Sequence, residues 1–181
     1  MKAVVVYESM FGNTRSIAEA VAKGLSERAT VTVVNVNEVA GIPGNIDLLV
    51  VGGPTHVHGM SSDRTRAGAV AQAGDPAKGL TLEPQAPGIG VRTWLKELTT
   101  VPPLVAAFDT RMGVPRVLSG AASAKIEHVL RGLGGRPIVE GASFTLAGNG
   151  SVDSEQLDRA LVWGRELGIA ASDAVVVAGG H

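Results

Sequence analysis

The sequence predicts an α/β domain in three layers: a doubly wound sheet of five parallel strands in the order 2-1-3-4-5, with helices on both faces. Three observations predict it. Short apolar runs rich in β-branched residues occur without polar alternation, the mark of strands buried on both faces. Between them lie segments whose apolar residues recur at helical spacing, so strand and helix alternate and right-handed crossovers follow. The first strand also leads through a short polar turn straight into a helix, and in such sheets ligands gather outside the carboxyl ends of the strands, where the order reverses.

Taken in order, Lys2 to Tyr7 is the first strand. Thr14 to Arg28 is a helix, with Ile17, Ala18, Val21, Ala22 and Leu25 on its apolar face. Thr30 to Val36 and Ile46 to Gly53 are the second and third strands, the third closed by Gly53-Pro54. Residues 62 to 90 carry Pro76, Pro84, Pro87 and five glycines without periodicity, which predicts a long irregular excursion with room for one short helix. Val91 to Leu98 reads as a short helix, Leu104 to Phe108 as the fourth strand, and Ala121 to Leu130 as a helix ended by glycines. Arg136 to Ala147 is the fifth strand, with a bulge near Gly141. A last helix starts after Ser151 or Asp153, either a suitable cap. Trp94, Phe108 and Trp163 read as packing residues, and Lys125 and His128 as a solvated helix face.

Composition narrows the function. With 181 residues, 45% of them hydrophobic and 18% charged, the chain suits one compact domain, expected over residues 1–178 with an irregular loop at about 61–90. The absence of cysteine removes disulfides, thiolate nucleophiles, iron–sulfur clusters and thiolate zinc sites together. Redox chemistry would then need an organic cofactor or a non-thiolate metal. A formal charge of −1 gives no field for nucleic acid or an anionic membrane. No apolar run approaches the roughly 20 residues of a membrane span, and no charged-then-apolar leader opens the sequence, so a cytoplasmic protein is expected.

After the first strand come Ser9, Met10, Phe11, Gly12, Asn13 and Thr14. Unpaired amides at a helix start, with hydroxyls from Ser9 and Thr14 and the amide of Asn13, can surround a phosphate dianion without Lys or Arg. Gly12 lets the backbone approach closely. An ordinary capped helix start, with Asn13 or Ser9 as the cap, fits the same residues.

This turn resembles that of the flavodoxin family, whose phosphate loop reads Ser/Thr, any residue, Ser/Thr, Gly, Asn, Thr after the first strand. Ser9, Gly12, Asn13 and Thr14 match it. Phe11 departs from the usual hydroxyl residue, and Ser-Met-aromatic-Gly-Asn-Thr is more similar to the flavodoxin domain of flavodiiron proteins, although no His- and acid-rich diiron module accompanies it. The resemblance implies FMN, its phosphate bound by Ser9, Met10, Phe11, Gly12, Asn13 and Thr14.

It also points to the loops after strands three and four. The first holds Pro54, Thr55, His56, Val57, His58 and Gly59. Gly59 is the candidate for a peptide that turns its carbonyl toward flavin N5 on reduction, and His56 or His58 stands where an aromatic often stacks. A histidine here could also couple the potential to pH. His56 and His58 have the spacing of some metal centres, with no third ligand cluster to support one. The second loop holds Asp109, Thr110 and Arg111, candidates for ribityl and pyrimidine contacts, with Arg111 equally able to serve a surface ion pair. It offers no Tyr or Trp, so stacking would be weak.

Three functions remain. One is an FMN-binding electron-transfer protein working with a redox partner protein. Another is a small FMN-dependent oxidoreductase acting on a quinone or porphyrinogen-like acceptor, with the 61–90 loop in its pocket. The third is a module that keeps the fold without flavin. No dinucleotide fingerprint and no acid, base or nucleophile constellation stands out.

Overall fold

The computed structural model describes residues 1–39, 41–56, 59–113 and 120–179. Strands β1 (Lys2–Tyr7), β2 (Thr30–Asn35) and β3 (Leu48–His56) are joined through helix α1 (Asn13–Leu25) and the 36–47 connection. A two-residue strand β4 (Gly59–Met60), helix α2 (Asp63–Ala73), a 3₁₀ turn (Pro76–Lys78) and helix α3 (Val91–Glu97) follow. Then come β5 (Leu104–Met112), α4 (Ala122–Gly132), β6 (Arg136–Pro137), β7 (Ala142–Leu146) and the long α5 (Ser154–Gly179). The sheet runs β2-β1-β3-β5, with β6 and β7 both parallel to β5 on its outer side. This is the predicted order 2-1-3-4-5, the fifth position being shared by two short segments.

β1 is central because its neighbours bury both of its edges: Lys2–Tyr7 registers with Thr30–Asn35 on one side, and Ala3–Tyr7 with Leu48–Gly52 on the other. Its side chains alternate between two cores. Val5 and Tyr7 enter the core beneath α1 and α5, where Phe108, Phe144 and Trp163 meet edge to face, while Val4 and Val6 enter the core with Trp94, Leu95 and Ile126 of α3 and α4. Where α1 crosses α5, a Cβ on Gly24 would lie 2.0 Å from the Leu161 carbonyl and one on Gly164 2.1 Å from that of Val21, so only glycine permits the contact.

Three differences from the expected elements have physical causes. β3 runs through Pro54 to His56 because β5 also continues to Met112, with Pro54 opposite Thr110, and because β3 folds back on β4. The fifth strand breaks between Pro137, which has no N–H to give the ladder, and Ala142, an interruption that an outer position tolerates. The excursion is not wholly irregular, since α2 is an 11-residue helix. Ser62 and Thr65 start it with a reciprocal capping box and four alanines sustain it, although it has no apolar stripe. Among the described residues, no helix is long and apolar enough to cross a membrane.

Candidate functional site

The ends of β1, β3 and β5 surround an open cavity of about 580 Å³, to whose lining α2 and Leu80 also contribute. Of the residues proposed from sequence, Ser9, Met10, Phe11, Asn13, Thr14, Pro54, Thr55, His56, Thr110 and Arg111 line it. Gly12, Gly59 and Asp109 are not on its wall, and Val57 and His58 lie outside the described residues.

The start of α1 forms one end. Gly12 caps it at φ +89°, a left-handed conformation that disfavours any side chain, and no side chain of the cap bonds the helix. The Gly12 N–H donates to Ser9 Oγ at 3.1 Å and its carbonyl accepts the Ser16 N–H at 2.9 Å, which fixes the turn. Asn13, Thr14 and Arg15 then present first-turn amides that have no partner inside the helix. Glu83 lies close to this turn, but its carboxylate pairs with the Arg15 guanidinium at 3.1 Å.

Two side chains do work different from that expected of them. Asn13 spends its amide on the neighbouring loop, donating to the Gly150 carbonyl at 2.8 Å and accepting the Val152 N–H at 3.1 Å. It therefore braces the cradle from outside, and Gly150 joins the cavity wall. Asp109 is fully buried and accepts the Ser123 N–H at 2.8 Å, capping α4 where a ribityl contact was anticipated. Thr55 adds to that cap by accepting the Ala122 N–H at 2.9 Å. Thr14 and Thr110 share a hydroxyl hydrogen bond of 2.7 Å that ties the α1 start to the end of β5.

Beside the cavity lies a buried ionic cluster. Glu8 Oε2 accepts the Val91 N–H at 2.9 Å and so caps α3, while Arg66 Nη1 donates to Ser61 Oγ at 3.2 Å and its Nη2 pairs with Asp63. Burial pushes the Glu8 carboxyl above the ordinary range, and the Ser61 and Val91 hydrogen bonds with Arg66 and Arg92 only partly oppose it. Burial, and then Arg66, pulls His56 below its ordinary value, so it is neutral at pH 7 and any proton coupling through it falls on the acid side.

The sequence reading put the 61–90 loop in the pocket for the oxidoreductase alternative alone and named none of Thr65, Gly68, Ala69 and Gln72 of α2 as site residues, nor Met112 and Leu146. The capping residues Ser62 and Thr65 before an alanine-rich run were the available signal. Gly59 faces away from the cavity; a Cβ there would meet the Lys125 side chain, its Nζ at 2.7 Å.

A parallel sheet whose order reverses beside a bare helix start is a doubly wound α/β architecture, and its switch point is the usual place for a ligand in such sheets. Residues 5–96 match the sequence model of the flavodoxin family, and the chain belongs to that family. No curated protein matches it in sequence. Among solved structures it is similar in fold to flavodoxin 1 from Bacillus cereus, with 18% identity, a TM-score of 0.63 and coverage of 92% of this chain and 97% of that one. An archaeal flavodoxin gives 18% identity and a TM-score of 0.59 over 95% of this chain and 99% of that one. The flavodiiron core from Synechocystis gives 15% and 0.59, covering 96% of this chain but 36% of that longer one.

Proposed function

We propose that the protein binds FMN in this cavity and transfers electrons between it and a redox partner protein or a small organic acceptor. Residues 1–178 act as one domain in this reading. The observation that carries it is the α1 start: of the helix starts facing this end of the sheet, α3 is covered by Glu8 and α4 by Asp109 and Thr55, whereas α1 receives no side-chain acceptor among the described residues and lies on the cavity wall. Amides left bare at a cavity suit a phosphate dianion.

The residues present fit FMN. The α1 amides, with Ser9 and Thr14 beside them, would hold the phosphate, and the Asn13 bridge to Gly150 and Val152 would keep that end closed. Pro54, Thr55 and His56 on one side and Thr110, Arg111 and Met112 on the other would flank the rest of the molecule. When bound, the flavin supplies the electron chemistry, taking up one or two electrons. The chain's part is to bind and orient, and neutral His56 adds no charge to the wall at pH 7.

The test is a titration of the purified protein with FMN and with riboflavin, followed by anaerobic photoreduction watched by absorption. We expect FMN to bind at least about a hundredfold more tightly than riboflavin, given the value of charge-assisted hydrogen bonds to a phosphate. Equal affinities would remove the phosphate site, and no binding of either would remove the proposed function. Reduction in two resolved steps would mark a one-electron carrier, and a single step a two-electron oxidoreductase.

A further inference from the structure

Helix α2 turns Thr65, Gly68, Ala69 and Gln72 toward the cavity, positions spaced three, four and seven residues from the first and so aligned on one face. Gly68 stands in the middle of that face. Glycine is the poorest helix former after proline, so an interior glycine calls for a reason. Elsewhere in the molecule the reason is visible: at Gly24 and Gly164 a Cβ would strike the backbone of the facing helix. At Gly68 it would meet nothing within 4 Å, and the residue has no positive φ to excuse it. Neither packing nor conformation of the protein itself demands glycine there.

Gly68 is exposed and belongs to the cavity lining, so the open space beside it is within reach of a bound molecule. Resting on the FMN reading above, we infer that the flavin ring lies flat against α2 at Gly68 and Ala69, the missing Cβ letting ring and helix backbone come into contact. Among the described residues the cavity is lined by Phe11, His56 and Met112 but by no Tyr or Trp, and the bare face of the helix adds a flat surface to these. Ala69 is itself anchored, packing with Met10 of the turn before α1 and with Ala86, so this wall is held in register with the bare amides. Gly68 is thus a specificity-determining position: it sets how thick a ring system the slot admits.

The experiment uses the full chain and two variants, Gly68→Ala and Gly68→Leu, with FMN affinity read by flavin fluorescence and apoprotein melting by circular dichroism. Because the new side chains project into empty space and improve helix propensity, both apoproteins should melt at or above the wild-type temperature. FMN affinity should fall severalfold for Gly68→Ala and at least about tenfold for Gly68→Leu, the loss expected from overfilling a packed site. Wild-type affinity in Gly68→Leu would overturn the inference and leave FMN binding standing. A wild-type chain that binds no FMN would overturn both. Lower melting temperatures in both variants would show that glycine serves the fold of α2, which also overturns it.

Discussion

Helices α1 and α4 start at the same carboxyl edge of the sheet but on its opposite faces, and their first turns are treated in opposite ways. At α4 the strands supply acceptors, Asp109 from β5 and Thr55 from β3, each taking one first-turn N–H. At α1 the cap is a left-handed glycine with no side chain, and the neighbouring carboxylate of Glu83 is engaged by Arg15. A helix start left without an acceptor is a cost to the apoprotein unless a ligand satisfies it. The difference teaches that an acid at a strand end can serve a neighbouring helix, and that the helix start without an acceptor of its own is the one the FMN proposal gives to the phosphate.

The strongest way to break this comparison is to give α1 a charge of its own. Asn13→Asp is nearly isosteric, but it sets a carboxylate oxygen against the Gly150 carbonyl in place of the donated N–H and adds an anion to the first turn. We expect FMN affinity to fall by a factor of at least about one hundred, near 3 kcal/mol, from repulsion and loss of the brace together. Titration by fluorescence checks it; an unchanged affinity would mean that the phosphate does not sit at α1.

The converse change strips α4. Asp109→Ala leaves the buried Ser123 N–H without its acceptor, and a loss of about 2–3 kcal/mol of stability in urea denaturation follows. FMN affinity should move less than about threefold, because the cavity wall and the α1 amides are untouched. A loss of affinity matching that of Asn13→Asp would erase the distinction between the two helix starts.

How much of this was legible in the sequence follows the same division. The sheet was, because strands buried on both faces show as unbroken apolar runs, and Lys2 to Tyr7 is one with the bounds the structure gives. The turn before α1 was legible through Ser9, Gly12, Asn13 and Thr14, since backbone geometry there depends on residue type at fixed spacing. Asp109 was not, because a carboxylate at a strand end reads alike whether it turns to a ligand or to Ser123, and only the partner's position decides. α2 was hidden for another reason. It buries only Arg66 and Ala69, so no amphipathic period announces it, and its cavity face is marked by what Gly68 lacks.

Glu8 offers the finest test, since it caps α3 much as Asp109 caps α4 but does so beside Arg66 and Arg92. Burial raises its carboxyl above the ordinary value, and the two cations, with Ser61 and the Val91 N–H, do not cancel the effect. The folded chain therefore keeps this proton to higher pH than the unfolded chain. The stability tied to it is fully present below the unfolded value and is lost as pH rises through the folded one. Glu8→Gln retains an acceptor for Val91 and removes the titration. Its urea midpoint should accordingly gain on the wild type as pH is raised from about 4 to about 7. A gap that instead moves in favour of the wild type would mean that Arg66 and Arg92 outweigh burial, making the cluster a true ion pair; the α3 start would then be held by charge and the α4 start by a hydrogen-bonded acid alone.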